Sequence, residues 1–293
     1  SAPMPLHANA YYDSGDDLWP TITTDKQGNW VAAWRSLDSL GNAIGTDADI
    51  LTVNSRDNAQ NWSYPRALNT YATLDADDDH YVVLRFGAGR ELFAVWVSEG
   101  RIVGNLGDDP DILISRSMDF GGKWSPPMIL NSNALNDTTN DRMPRLSTDA
   151  KGKWVAVWRT GQYSIDLDIA FAQMIDSDKD GLPDIVETNT GTFVSYTDTG
   201  TDPNNPDTDY DGMPDGWEVD FNLDPNDDGS LNIHNGPMGD PDGDGIVNLD
   251  EYQNASDPWE TDVPALRVSS FYGLLTLAIV ILCSKLLRKT ILN

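Results

Sequence analysis

A repeat of fixed period constrains this chain more than any other feature. The segments "WVAAWRS" from Trp30, "LFAVWVS" from Leu92 and "WVAVWRT" from Trp154 start 62 residues apart, twice in succession. The same offset carries Asp17 to Asp79 and Asp141, and two steps of it carry Pro20 to Pro144. It also carries "DILTVNSRD" from Asp49 onto "DILISRSMD" from Asp111, and "WSYPRALN" from Trp62 onto "WSPPMILN" from Trp124. Unrelated sequence does not hold such a register, so the first part of the chain is three copies of one structural unit. Within each unit, short apolar or alternating runs are separated by Gly, Asn and Asp, which predicts about four short antiparallel strands. Four-stranded units in tandem predict a mainly β fold, a partial propeller of about three blades whose neighbours bury each other's faces.

Inside the unit, "SMDFGGKW" presents Ser117, Asp119, Gly121 and Trp124 at the spacing S-x-D-x-G-x-x-W. Its counterpart keeps Ser55, Asp57 and Trp62 but has Ala59 at the glycine position. Such a pattern suits a hairpin whose Ser and Asp side chains bond turn amides, with Gly supplying a positive φ and Trp packing between strands. The segment resembles the Asp box of the sialidase-like (BNR-repeat) β-propellers over roughly 16–174. The resemblance implies that Asp57 and Asp119 are structural turn-formers on the face away from a sugar site. In the third unit, "DIAFAQMID" from Asp168 aligns with "DILISRSMD", which brings Asp176 onto the Asp-box position just where the motif gives way to another. Three blades, the last without its outer strand, do not close a ring, and the resemblance implies six. Either upstream blades are absent from this chain or the half-ring pairs with another one. The opening "SAPMPLHANAYY" is not a signal peptide, so a processed form or a fragment is expected.

The charge is as unevenly distributed as the repeat is regular. The chain has 293 residues and a net charge of −28, and residues 176–262 alone hold 24 acidic side chains against one cation, Lys179. Such acidity excludes a generic nucleic-acid binder, which needs surplus Lys and Arg to displace phosphate counterions, and it disfavours docking on anionic lipid. The acidic residues also follow a pattern. "DSDKDGLPDIVE" (176–187), "DTDYDGMPDGWE" (207–218) and "DPDGDGIVNLDE" (240–251) each match D-x-[DN]-x-[DN]-G-x5-E. Calcium takes six to eight hard oxygens, which a twelve-residue loop supplies from positions 1, 3, 5, 7, 9 and 12. The first loop then offers Asp176, Asp178, Asp180, the Leu182 carbonyl, Asp184 and Glu187. The second offers Asp207, Asp209, Asp211, the Met213 carbonyl, Asp215 and Glu218, and the third Asp240, Asp242, Asp244, the Ile246 carbonyl, Asn248 and Glu251. Gly181, Gly212 and Gly245 stand where the loop turns sharply. A fourth segment, "DPNDDGSLNIHN" from Asp224, carries Asp224, Asn226 and Asp228 but ends in Asn235 and is degenerate. About three calcium ions are expected, or four if this segment binds one. Magnesium suits so many protein carboxylates less well.

With Pro183 and Pro214 at loop position 8, these loops resemble bacterial thrombospondin type 3 repeats more than paired EF-hands. Few apolar residues accompany them, so folding of 176–262 is expected to depend on metal and to give a calcium-stiffened stalk. Beyond it, Val268 to Ser284 are uncharged between Arg267 and Lys285, with Arg288 and Lys289 following. That is the short limit of a membrane helix, and the cations place its C-terminal end in the cytoplasm and the body outside. The tail at 263–293 also resembles bacterial C-terminal sorting tails. The one cysteine, Cys283, lies in this run, so no intramolecular disulfide forms.

Three domains are therefore expected: blades at 1–175, calcium repeats at 176–262 and the tail at 263–293. The functional expectation is a cell-surface protein whose blades recognise a glycan or surface protein. A rival is an exo-sialidase-type glycoside hydrolase with further blades upstream, and a third is a structural surface element. Arg142 in "RMP" is loosely like the family's Arg-x-Pro element, while Arg35 and Arg159 recur with the repeat and fit a structural or rim role. No Tyr–Glu pair stands out, and His7, His80 and His234 have no metal or triad spacing. The catalytic residues, if any, are unknown.

Overall fold

The computed structural model of the chain describes residues 4–6, 15–74, 76–87, 89–99, 109–131, 134, 138–162 and 166–262. The tail at 263–293, including Cys283, lies outside them, as does His7. No helix among the described residues is long and apolar enough to cross a membrane.

The fold is mainly β, built of three antiparallel meanders. The strands β1 (Asp17–Thr24), β2 (Trp30–Ser36), β3 (Asp49–Ser55) and β4 (Arg66–Ala67) form the first sheet. The second contains β5 (Asp79–Phe86), β6 (Leu92–Ser98), β7 (Asp111–Ser117) and β8 (Met128–Ile129). The third contains β9 (Arg142–Thr148), β10 (Lys153–Gln162) and β11 (Asp166–Ile175), with no fourth strand among the described residues. The repeat is visible in the pairing: Asp49 faces Ser36, Asp111 faces Ser98 and Asp168 faces Thr160. The third hairpin is shorter, which is why Asp168 departs from the regular offset yet keeps the equivalent place.

Strand alternation sends successive side chains to opposite faces, and here both faces of the middle sheet are buried. Leu92, Ala94 and Trp96 pack with Val31, Ala33 and Ile50 of the first sheet. Phe93, Val95 and Val97 pack on the other side with Leu146, Trp154, Ala156 and Trp158 of the third. Burying each large side chain contributes ~1.5–3 kcal/mol, so the stacked faces dominate the cohesion of the sheets. Polar latches join consecutive units. Asn131 Nδ2 donates to Asp111 Oδ1 at 2.7 Å and to Asp141 Oδ2 at 2.8 Å, and Asn69 Nδ2 reaches Asp79 Oδ2 at 3.4 Å. Each first strand breaks register at the same point, where Trp19, Tyr81 and Met143 adopt positive φ of 53°, 55° and 59°.

The acidic segment holds only two short helices, α1 (Asp215–Asp220) and α2 (Asn248–Asn254). It does not project from the sheets as a stalk. Met118, on the second Asp-box turn, inserts among Met213, Trp217, Phe221 and Leu223, while Met128 of β8 packs against Leu182, Val186 and Val219. The few apolar residues of the acidic segment form a core by borrowing from the sheets, a contact that spacing along the chain does not reveal.

Candidate metal centre

The Asp-box turns set the stage. Ser55 Oγ donates to Asp57 Oδ1 at 2.8 Å, and that oxygen accepts the amides of Gln60 and Asn61 at 3.0 and 2.9 Å. The second turn repeats this, with Ser117 Oγ donating to Asp119 Oδ1 at 2.7 Å and the Lys123 amide following at 2.9 Å. The hydrogen bonds from Asn61 and Ser55 lower the exposed Asp57 carboxyl to about 2, whereas burial raises that of Asp119. In the third sheet the equivalent carboxylate belongs to Asp176, which accepts the amides of Lys179 at 2.6 Å and Gly181 at 3.1 Å. The turn residue of the last sheet is thus the first residue of the first acidic loop.

All three loops have one construction. The first aspartate ties the glycine amide: Asp176 to Gly181, Asp207 to Gly212 at 3.0 Å and Asp240 to Gly245 at 3.1 Å. The third aspartate accepts the amide two residues on: Leu182 at 2.7 Å, and Met213 and Ile246 at 2.8 Å. The central glycines have φ of 100°, 100° and 93°, a conformation that side chains with a Cβ resist. Oxygens of Asp176, Asp178 and Asp180 lie within 4.8 Å of one another, as do those of Asp207, Asp209 and Asp211, and of Asp240, Asp242 and Asp244.

The remaining oxygens point to a cation. Asp178 Oδ2, Asp209 Oδ2 and Asp242 Oδ2, all at position 3, are buried without a hydrogen-bond partner among the described residues. So are both carboxylate oxygens of Glu218 and Glu251, and Oε2 of Glu187, all at position 12. Glu218 and Glu251 are 0 % exposed. A buried, partnerless carboxylate costs several kcal/mol unless it is protonated or paired with a cation. Burial, reinforced by neighbouring aspartates, raises Glu187, Asp209 and Glu251 to about 8 and Glu218 well above its ordinary value. Hard oxygens at these offsets fit calcium, with Glu218 and Glu251 free to ligate through both oxygens and Glu187 through Oε2.

The position 9 residues are arranged differently. Asp184 accepts the Ser177 amide and hydroxyl, both at 2.8 Å, and Asp215 accepts those of Thr208 at 2.7 and 2.6 Å. Asn248 Nδ2 donates to the His234 and Gly236 carbonyls and leaves Oδ1 without a partner. In the degenerate segment, Asp224 accepts the Asn226 amide and Asp228 that of Ser230, and these residues form no metal-sized cluster among the described residues.

Arginines from the sheets hold the acidic segment in place. Arg116, itself buried, pairs with buried Asp220 at 2.9 Å and donates to the Gly216 carbonyl at 3.2 Å. Arg56 donates to Ala255 O at 2.7 Å, and Arg90 to the Tyr252 and Gln253 carbonyls. These carbonyls lie at the C-terminal end of α2, which has no basic residue of its own in its last turn. Motif matching missed these arginines; the available signal was cationic side chains on and near the Asp-box turns of an otherwise acidic chain.

At the backbone breaks of the first strands lies a second polar cluster. Arg35 Nε donates to His80 Nδ1 at 3.1 Å and its Nη2 pairs with Asp78 at 3.1 Å, while Arg142 pairs with Glu99 at 2.8 Å. Trp19, 46 % exposed, stacks on Tyr81 with ring centroids 4.9 Å apart.

No family model and no curated protein matches the sequence. Among solved structures, the chain is similar to the Hadza microbial sialidase Hz136 at 15% identity and a TM-score of 0.41, covering 56% of this chain and 36% of that one. It is also similar to an α-L-arabinanase of Penicillium chrysogenum complexed with arabinobiose (15%, TM-score 0.38, covering 55% and 46%). A third likeness is to an endo-arabinase of Bacteroides thetaiotaomicron (16%, TM-score 0.37, covering 55% and 57%). The chain thus spans less than two thirds of the length of each.

Proposed function

We propose that this is a calcium-binding protein in which three acidic loops, clamped onto a stack of β sheets, carry ions at Asp176–Glu187, Asp207–Glu218 and Asp240–Glu251. The observation that carries this reading is the set of buried, partnerless oxygens at positions 3 and 12 of all three loops. Repeated chance acidity would leave such oxygens in water or on amides; a divalent ion satisfies them together. Calcium supplies the countercharge, and the chain supplies preformed loops, position 12 carboxylates and arginine-held helix ends. The test is calorimetric titration of the chelator-treated chain with calcium. Micromolar or tighter binding with a raised thermal midpoint is expected, and an unchanged midpoint in millimolar calcium refutes it.

Recognition of a glycan or surface protein is assigned to the Trp19–Tyr81 rim. The supporting observation is the exposed Trp19 ring stacked on half-buried Tyr81 beside Arg35, Asp78, His80, Glu99 and Arg142, groups that suit a polyhydroxylated ligand. Saccharide array binding that disappears in Trp19→Ala is the expected result. Turnover of a fluorogenic sialoside by the same protein would favour a hydrolase instead. A position at the cell surface, anchored through 263–293, belongs to this proposal and is tested by fractionation of envelopes.

A further inference from the structure

The third sheet ends on a bare edge where the other two carry a fourth strand. β4 sets Ala67 and Arg66 opposite Leu51 and Thr52, and β8 sets Ile129 and Met128 opposite Leu113 and Ile114. Ile50, Ile112 and Ile169 face Arg35, Val97 and Arg159, which are 62 residues apart, so the matching residues of β11 are Ala170 and Phe171. No strand pairs with this side of β11 among the described residues. The edge is closed at its end, where the Ile175 carbonyl accepts the Asp184 amide at 2.8 Å.

Beside this edge runs an apolar groove of about 470 Å³, in the place that a fourth strand would fill. Ile114, Met128 and Leu130 of the second sheet line it together with Ala172 and Met174 of β11 and Ile185 of the first acidic loop. In the second sheet, backbone and side chain both fix the strand in this position. The Leu130 amide donates to the Ile112 carbonyl at 2.8 Å, the Ile112 amide donates to Asn131 Oδ1 at 3.0 Å, and Asn131 Nδ2 reaches Asp111 Oδ1 at 2.7 Å. The first sheet repeats the backbone bond, from the Leu68 amide to the Ile50 carbonyl at 2.8 Å. The third sheet keeps the receiving half alone. Ile169 and Asp168 stand where Ile112 and Asp111 do, yet both are exposed while Ile112 and Asp111 are buried. An unpaired edge of this kind is a template for another strand.

We propose that β11 is the docking site for an extended segment of another polypeptide, which adds to it as an antiparallel strand. β4 and β8 give the form of that segment. A small or apolar residue lies opposite Ala170 and enters the groove, a leucine follows whose amide meets the Ile169 carbonyl, and an asparagine then bridges the Ile169 amide and Asp168. Main-chain hydrogen bonds supply affinity and the alternate side chains supply selectivity. Charge selects the partner. Asp166 and Asp168 flank the edge at one end and Asp184 at the other, no cation lines the groove, and the chain carries −28. A segment with basic residues beside its apolar ones complements this field. A second copy fits less well, because twofold pairing of β11 with itself brings Asp166 and Asp168 of one copy toward Asp184 of the other. The site shares no residue with the Trp19–Tyr81 rim.

The probe is a fluorescein-labelled peptide with the sequence of residues 123–131, Lys-Trp-Ser-Pro-Pro-Met-Ile-Leu-Asn, titrated with the full chain in calcium and read by anisotropy. Saturable binding at micromolar concentration is expected. N-methylation of the leucine amide removes one main-chain hydrogen bond and is expected to weaken binding about tenfold. Ala172→Glu, which puts a charge in the groove, is expected to weaken it at least as much. The N-methyl group alters only the peptide, so a misfolded variant cannot produce both losses. No saturation at millimolar peptide, or equal binding of the N-methylated peptide, would overturn strand addition. Full binding to Ala172→Glu would place the peptide elsewhere and overturn the site. Replacing the peptide's lysine with glutamate is expected to weaken binding at low salt, and equal affinity would overturn the basic partner. A dimer of the chain alone in sedimentation equilibrium, lost in Ala172→Glu, would give the edge to a second copy and overturn the assignment to another polypeptide.

Discussion

Glu218→Gln separates the metal reading from a purely structural one. Glu218 is fully buried at the start of α1, both its oxygens are partnerless, and Asp207, Asp209, Asp211 and Asp215 all act on its charge. Without metal, ionising this group is opposed by burial and by four like charges, and leaving it unsatisfied costs ~1–3 kcal/mol as the neutral acid and more as the carboxylate. Gln has the same shape and no charge, so in chelator the variant is expected to melt no lower than the wild type. In calcium the order reverses, because a bidentate ligand has been lost. An ion present at a hundred times its dissociation constant stabilises the folded state by ~2.7 kcal/mol, which corresponds to about 5–10 °C in a protein of this size. Differential scanning calorimetry in chelator and in calcium would show the two curves crossing. Equal calcium shifts in both proteins, or a variant several degrees lower in chelator, would refute the reasoning.

Other outcomes follow from the same geometry. Because Glu187, Asp209 and Glu251 titrate near 8 and Asp215 near 7, the folded metal-free chain binds more protons than the unfolded one. Its stability should therefore be greatest near pH 4–5 and fall as pH rises through about 6–8, while calcium affinity rises over that window by up to about tenfold per unit for each displaced proton. Calorimetry across buffers of different ionisation enthalpy measures the protons released. Arg116→Ala leaves Asp220 buried without its partner and is expected to destabilise by about 3–5 kcal/mol in chemical denaturation. Gly181→Ala and Gly212→Ala meet the same φ of 100°, but a Cβ at 181 would lie 2.4 Å from Met118 Sδ, whereas at 212 the nearest atom is Leu249 Cδ1 at 3.7 Å. The first should cost more than the second in thermal midpoint, and the difference measures the contact between loop and sheet.

Local signals made the sheets and loops legible. Trp30, Leu92 and Trp154 share a period because each sheet presents the same faces to its neighbours, and the Asp-x-Asp-x-Asp-Gly spacing is set within a single turn of chain. What stayed hidden depends on how separate parts pack. Nothing along the chain announces that Asp215 meets Glu187, or that Arg56 and Arg90 reach the end of α2. The expected stalk failed for this reason: the apolar residues of 176–262 are too few when counted alone, but Met118 and Met128 complete their cores.

The double membership of Asp176 has a mechanical consequence. Its amide donates to the Gly152 carbonyl at 2.8 Å as part of the last sheet's turn, while its carboxylate opens the first loop. No linker separates the two parts, so they have no swivel. A pull exerted beyond residue 262 would load the arginine contacts along their length before it could peel β11 from its neighbour. The acidic end of the molecule would then transmit force as a rigid bracket does, and under the calcium proposal chelation is expected to turn that bracket into a tether.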